Sequence, residues 1–148
     1  MKEFQFTVET IPKAKARPRF VRRGKFVQTY TPKTTANYEK KIAEEYLLQG
    51  GTVFDYPYLE MAIIAYFPIP KSAKKADRLL LETECVPYPH KPDTDNLGKS
   101  IADALNQVAY LDDKQIVFLK VKKLYGKVGR IVVRIREIDI DGGSNQIK

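Results

Sequence analysis

Apolar and polar residues alternate cleanly near the start of the chain. Phe4, Phe6 and Val8 point one way, and Glu3, Gln5, Thr7 and Glu9 the other, so residues 2–9 are predicted as a half-buried strand. The next β-prone stretch, RFVRRGKFVQTY, has two short arms around Gly24-Lys25 and reads as a basic hairpin or loop. Phe20, Phe26 and Tyr30 sit between its charges, placed either to pack the arm onto the body or to stack on bases. In TPKTTANYEKKIAEEYLLQGG the spacing of Tyr38, Ile42, Ala43, Tyr46 and Leu47 predicts a helix, with Thr34 and Thr35 as candidate caps and Gly50-Gly51 as its end. The apolar run YPYLEMAIIAYFPIP, bounded by prolines, is predicted to be a central strand covered on both faces. KSAKKADRLLLET reads as a short helix capped by Ser72, and CVPYPHKP as a rigid loop that delivers the chain to Asp93. Another helix starts near Asp95. Leu97, Ile101, Ala104, Leu105 and Val108 form its apolar face, and Asp95, Asn96, Lys99 and Asp103 project from the other side. KQIVFLKVKKLYG alternates Val117, Leu119 and Val121 against Lys120 and Lys122, and KVGRIVVRIREIDI is predicted as its hairpin partner. The sum is an α+β fold, a mixed and mainly antiparallel sheet with helices packed on it. Residues 1–140 read as one domain and 141–148 as a flexible tail.

Composition narrows the class. A chain of 148 residues, 43% hydrophobic and 30% charged, buries a core without staples and resembles an ordinary soluble protein. No apolar run approaches the roughly 20 residues of a membrane span, and MKEFQFTVET is not a signal peptide. One cysteine, Cys85, makes no internal disulfide, and with a single histidine it excludes the usual Cys/His zinc site. The expected home is the cytoplasm.

The net charge of +8 is localised: residues 13–33 hold eight Lys or Arg and no acid. Such a field attracts polyanions, and Lys13, Lys15, Arg17, Arg19, Arg22, Arg23 and Lys25 are the candidate phosphate contacts. A merely solvated hairpin is the plainer alternative.

Against that basic background, Asp93, Asp95, Asp103, Asp112 and Asp113 crowd into 21 positions. Asp93 and Asp95 share one face of extended backbone. Two carboxylates that close repel each other, and one protonates unless a cation sits between them. A hard divalent ion such as Mg²⁺ or Mn²⁺, which takes oxygen ligands, is the natural one. The helix–loop–strand return offers a way for Asp112 and Asp113 to come back beside the first pair. Plainer readings stand next to each signal. Asp95 alone is a helix cap, Asp112-Asp113 a turn, and Asp139 with Asp141 forms a second Asp-x-Asp in the tail. An EF-hand fails, because Leu97 and Ala104 stand where oxygen ligands are needed. There is no phosphate-binding Gly-rich loop and no Gly-x-Ser-x-Gly elbow. His90 is a loop histidine that either meets solvent and a neighbour or assists proton transfer. Acids inside a positive surface disfavour a polyanion unless a metal inverts their charge at the scissile phosphate, so the combination points to metal-dependent phosphodiester hydrolysis. A non-catalytic basic nucleic-acid-binding module is the competing class.

KPDTDNLGKSIADALN followed by YLDDKQIV resembles the signature of the RusA family of Holliday junction resolvases, found in bacteria, phages and prophages. KARPRF, YTPKTTANYEKKI and FPIPKSAKKA resemble its other segments, so the likeness covers most of residues 10–135. It implies a RusA-like endonuclease domain over 1–140, an α+β homodimer, branched DNA as partner, no membrane, and Mg²⁺ as cofactor with Mn²⁺ as a substitute. It places metal-binding catalytic aspartates at Asp93, Asp95 and Asp113, a catalytic lysine at Lys99, and an adjacent acid at Asp112. The spacing from the helix to Leu-Asp-Asp is about one residue shorter than in the founding member, which leaves both Asp112 and Asp113 as candidates for the third ligand. A nuclease for other branched DNA remains an alternative within the same chemistry.

Overall fold

The computed structural model describes residues 1–14, 19–24, 26–30 and 33–140, and within 19–30 it describes side-chain surroundings only at Arg22 and Gly24. The predicted tail, 141–148, and Lys15, Arg17 and Lys25 lie outside the described residues.

The elements are β1 (Glu3–Glu9), β2 (Arg19–Arg23), β3 (Phe26–Tyr30), α1 (Lys33–Leu48), β4 (Leu59–Pro68), α2 (Lys75–Leu81), α3 (Thr94–Ala104), a 3-10 turn (Asp113–Gln115), β5 (Ile116–Gly126) and β6 (Arg130–Glu137). Four strands form a sheet in the order β1-β6-β4-β5, and β2-β3 form a separate antiparallel hairpin. The β1–β6 and β4–β6 pairs are antiparallel, whereas β4–β5 is parallel. The α+β architecture is therefore the one expected, a mixed sheet with helices on it.

One face of the sheet carries the core. Phe6 and Val8 from β1, Met61, Ile63, Ala65 and Phe67 from β4, and Ile131, Val133 and Ile135 from β6 are buried beneath α1 and α3. α1 contributes Tyr38, Ile42 and Tyr46, and α3 contributes Leu97, Ile101 and Ala104. Each such side chain gains about 1.5–3 kcal/mol on leaving water, Ala less, which drives the helices onto the sheet.

Several local expectations are corrected. α1 begins at Lys33, so Thr34 and Thr35 sit inside its first turn; Leu47 is exposed, because the stripe that faces the sheet is Thr35, Tyr38, Ile42 and Tyr46. α2 starts after Lys74 with no side-chain cap, so Ser72 lies outside it. β4 is interior to the sheet but covered on one face only. Its odd residues are buried and Ala62, Ile64 and Tyr66 are half-buried. On that open face Glu60 is buried by charge pairing, with Arg136 donating from Nε and Nη2 at 3.0 Å each and Arg134 from Nη2 at 3.2 Å. β6 is not the hairpin partner of β5. The link 127–129 crosses the end of β4 at Pro68, and β6 joins the far side of β4. Val117 and Leu119 of β5 are exposed, because β5 is an edge strand. Among the described residues, no helix is long and apolar enough to cross a membrane.

Candidate metal and nucleic-acid site

The loop ahead of α3 is tied to the outer edge of β5. Tyr88 N donates to Lys123 O and Tyr125 N to Val86 O, both at 3.0 Å. The Tyr88 ring stacks on Phe67 at 4.0 Å and meets Tyr125 and His90 edge-on. Lys123 then fixes the last step, its Nζ donating to His90 O at 2.7 Å and to Pro92 O at 2.9 Å. His90 itself is exposed and serves this loop through its carbonyl and ring edge.

Asp93 emerges from this loop as the N-cap residue of α3, a place expected for Asp95. Its backbone carbonyl accepts from Leu97 N at 3.1 Å, but its carboxylate makes no capping bond and is exposed. Asp95 is exposed in the first turn. Both acids therefore stand at the positive end of the helix, where negative charge is favoured. Lys99 and Asp103 follow at successive four-residue steps, with Lys99 Nζ 3.7 Å from Asp103 Oδ2.

The chain leaves α3 at its other end. Tyr110, fully buried, folds the return back by one turn as its hydroxyl donates to Ala102 O at 2.6 Å. Asp112 is the N-cap of the 3-10 turn: its Oδ1 accepts from Lys114 N at 2.9 Å, and Gln115 Oε1 accepts from Asp112 N at 3.1 Å. Gln115 Nε2 anchors this turn by donating to Phe54 O and Tyr56 O. Asp113 N donates to Asn106 Oδ1 at 3.1 Å. The two neighbouring acids differ in their chemistry. The bond from Lys114 N holds the Asp112 carboxyl below its usual range. Partial burial, then the bond and charge of Asp112 and the charge of Asp103, push Asp113 up, opposed by Lys99. Asp113 thus faces the Lys99–Asp103 end of α3.

The structure brings together Lys99, Asp103, Asp112 and Asp113 and leaves Asp93 and Asp95 at the other end of the helix. Eight residues separate Asp95 from Asp103, about 12 Å along the axis. Among the described residues, no group of three or more His, Cys, Asp or Glu side chains gathers as a metal site. The donor chemistry suits a hard cation, but one chain places only part of the expected set at either end.

Of the basic arm, Lys13 and Arg22 are exposed, and Arg19 and Arg23 fall at opposite ends of β2. The root of the arm is fixed: Lys13 N donates to Tyr38 OH at 3.2 Å, and Ser100 Oγ donates to Lys13 O at 3.0 Å. The hairpin therefore springs from the seam between α1 and α3, next to Lys99.

Sequence reasoning missed Lys123, Asn106 and Gln115 as supports of the acidic residues. For Lys123 a signal existed. It shares parity with Leu119 and Val121, so a lysine stands where the alternation calls for an apolar residue facing the helices.

Comparison with known proteins gives the family. The chain is 35% identical over 144 residues to the uncharacterized protein YqaN of Bacillus subtilis (strain 168), covering 90% of this chain and 96% of that protein. The family model described as Endodeoxyribonuclease RusA matches residues 9–136. With the match running from the end of β1 through the hairpin, the acidic helix and the Leu-Asp-Asp turn into β6, the chain belongs to the RusA family of endodeoxyribonucleases.

Proposed function

We propose that this protein is a divalent-metal-dependent endonuclease that acts as a homodimer and cuts four-way (Holliday) DNA junctions by paired symmetric nicks. The observation that carries the reading is Asp93: a carboxylate left unused by the helix it caps, two residues from Asp95, on a loop pinned by Lys123, in a RusA-family chain. Asp93, Asp95 and Asp113 are the proposed ligands. Asp113 is favoured over Asp112 because Asp112 is already engaged as a cap. Bound Mg²⁺ or Mn²⁺ would supply charge neutralisation at the scissile phosphate and ease deprotonation of the attacking water. Lys99, one turn from Asp95, is placed to offset charge that builds on the phosphate. Lys13, Lys15, Arg17, Arg19, Arg22, Arg23 and Lys25 would hold the DNA backbone. Residues 1–140 are proposed as the endonuclease domain, working in the cytoplasm.

The free edge of β5 supports a two-fold partner that completes the site. Lys123 and Tyr125 point their backbone groups outward to Val86 and Tyr88, so by alternation Val117, Leu119 and Val121 do the same. No described segment pairs with them, and Val117, Phe118 and Leu119 are exposed there. Such an edge invites a second strand. Antiparallel pairing centred on Leu119 sets Val117 against Val121 of a second copy. The open stretch runs from the start of β5 at Ile116 to the point where Tyr88 closes the edge at Lys123, so it matches its own length. The same register carries the Asp112–Asp113 turn of the second copy toward the end of β5 on which Lys123 holds Asp93.

The test mixes two inactive variants. Asp93→Asn and Asp113→Asn are each expected to abolish Mg²⁺-dependent nicking of a labelled four-way junction while still binding it. Co-refolded together, they regain activity, since one site of the mixed dimer keeps all its acids. Failure to regain it would refute the shared site, and wild-type cutting by either variant alone would refute the metal reading. A wild-type protein that binds DNA but never cuts supports the non-catalytic basic module. Preferential cutting of a flap over a junction supports a nuclease for other branched DNA.

A further inference from the structure

On the flank of α1 away from β5, an open cavity of about 250 Å³ lies at the root of the basic hairpin, lined by Thr10, Lys13, Thr34, Asn37, Tyr38 and Lys41. Thr34, Asn37 and Lys41 recur at three- and four-residue steps and so share one helix face. Lys13 is delivered from the opposite wall and held by its backbone, between Tyr38 OH and the buried Ser100. Lys41 Nζ gives one hydrogen to Glu9 O at 2.5 Å, which fixes its position and leaves two for another acceptor. Burial raises the Tyr38 phenol, so it stays neutral.

Among the described residues, the lining is thus two ammonium groups, two threonine hydroxyls, a carboxamide and a neutral phenol, with no carboxylate. A hollow rich in donors and without anionic walls favours an anion. Its size falls below the roughly 300–1,000 Å³ of pockets that enclose a drug-sized molecule. Among the described residues it also offers no exposed aromatic face on which a base could stack, because Tyr38 is buried. A single phosphate group fits these features better than a nucleotide does.

We propose that this cavity seats one backbone phosphate of bound DNA through Lys13, Lys41, Thr34 and Asn37. This rests on the nucleic-acid reading above and adds a fixed contact outside both the acidic helix and the charged residues of the hairpin. Since Lys13 is tied to Ser100, next to Lys99, a phosphate held here sets the register of the strand relative to α3.

The test measures binding of the full chain to a four-way junction in EDTA across a salt series. Asn37→Asp, which puts a carboxylate into the cavity at an exposed position, is expected to weaken binding about tenfold and to lower the slope of log affinity against log salt by about one. Lys41→Gln should do the same and Lys41→Arg should not. An unchanged melting temperature for Asn37→Asp separates the effect from misfolding. If the wild type binds and Asn37→Asp matches it in affinity and slope, the phosphate seat is refuted while the DNA reading stands. If the wild type binds no DNA, both fall. If inorganic phosphate raises the wild-type melting temperature while Asn37→Asp still binds junctions normally, the cavity takes free anions and the proposal is wrong.

Discussion

Replacing Lys123 with methionine isolates the support of Asp93 from Asp93 itself. Methionine keeps most of the apolar stem and removes the ammonium, and with it the bonds to His90 O at 2.7 Å and Pro92 O at 2.9 Å. Hydrogen bonds from a charged donor contribute about 1.5–3 kcal/mol each when shielded from water. The His90 bond is exposed and the Pro92 bond only partly buried, so about 2 kcal/mol for the pair is the reasonable sum. The ammonium also lies 5.9 Å from the centroid of the Tyr88 ring, a contact of at most about 0.5 kcal/mol at this exposure. If the whole loss appeared in global unfolding, the melting temperature would drop by about 4–8 °C for a chain of this size. If it appeared only in how the loop presents Asp93, divalent binding would weaken by up to about thirtyfold, since 1.4 kcal/mol is a factor of ten. Supports of metal ligands are commonly worth about 10–100-fold, which covers that figure. Two assays divide the outcomes: thermal unfolding without metal, and the Mg²⁺ midpoint of junction cleavage. A shifted Mg²⁺ midpoint with a melting temperature lowered by less than the full amount is expected. A wild-type midpoint in a variant whose Tyr88 amide exchanges faster with solvent would show that the pinned loop does not govern the acid, and the reasoning would fail.

Other consequences concern the body of the fold. Hydrogen bonds from Arg136, and then the charges of Arg136 and Lys120, hold the Glu60 carboxyl below its ordinary value of 4.5. The folded state therefore binds fewer protons than the unfolded one in that range. The stabilisation is present at neutral pH and is lost as pH falls from about 4.5 through the lowered value. Glu60→Gln should cost about 1–2 kcal/mol at pH 7, less than a fully buried pair because Arg134 and Arg136 are partly exposed, and it should flatten the acid limb of a urea-midpoint-against-pH curve; a parallel curve would disprove the pairing. Gly51→Ala should destabilise by about 2–3 kcal/mol, because the added methyl would lie 2.4–2.6 Å from ring atoms of Tyr46. That ring cannot yield: it is fully buried, bonded to Thr52 O, and set edge-on to Phe4 and Phe6. Gly98→Ala is the control, since its methyl meets Leu119 Cδ2 at 2.8 Å, the end of a flexible and exposed side chain, and should be near neutral by chemical unfolding.

How much of this could be read from the residues depends on what alternation and periodicity encode. They encode faces. Phe4, Phe6 and Val8, and Leu97, Ile101 and Ala104, were assigned inward and lie inward. They do not encode neighbours. β5 and β6 are both alternating strands joined by only three residues, and a hairpin follows naturally from that; yet a three-residue link spans about 10 Å, two strand spacings, which is enough to step over β4 where Pro68 ends it. Edge status was equally hidden. Val117, Leu119 and Val121 alternate against Lys120 and Lys122, and nothing in that pattern tells a strand with two neighbours from a strand with one.

The acidic residues show the same divide at the level of chemistry. Asp93 and Asp95 stood out because two carboxylates two residues apart need a cation or a cap, and the structure gives Asp93 the cap position without using its carboxylate. The expectation that Asp112 and Asp113 return beside them overlooked the length of α3. Eleven helical residues advance the chain about 16 Å, and recovering that distance takes an element running back along the helix. No such element precedes Asp112: Tyr110 bonds to Ala102, and the turn closes at the C-terminal end. β5 does run back, antiparallel to α3, but it begins only after the two aspartates. The strand starts beside one end of the helix and finishes beneath the other, so in the proposed dimer a two-fold perpendicular to β5 would set the Asp112–Asp113 end of one copy against the Asp93 end of the other. The proposed pairing could not be read from one sequence, because symmetry between copies leaves no mark in the spacing of residues along one of them.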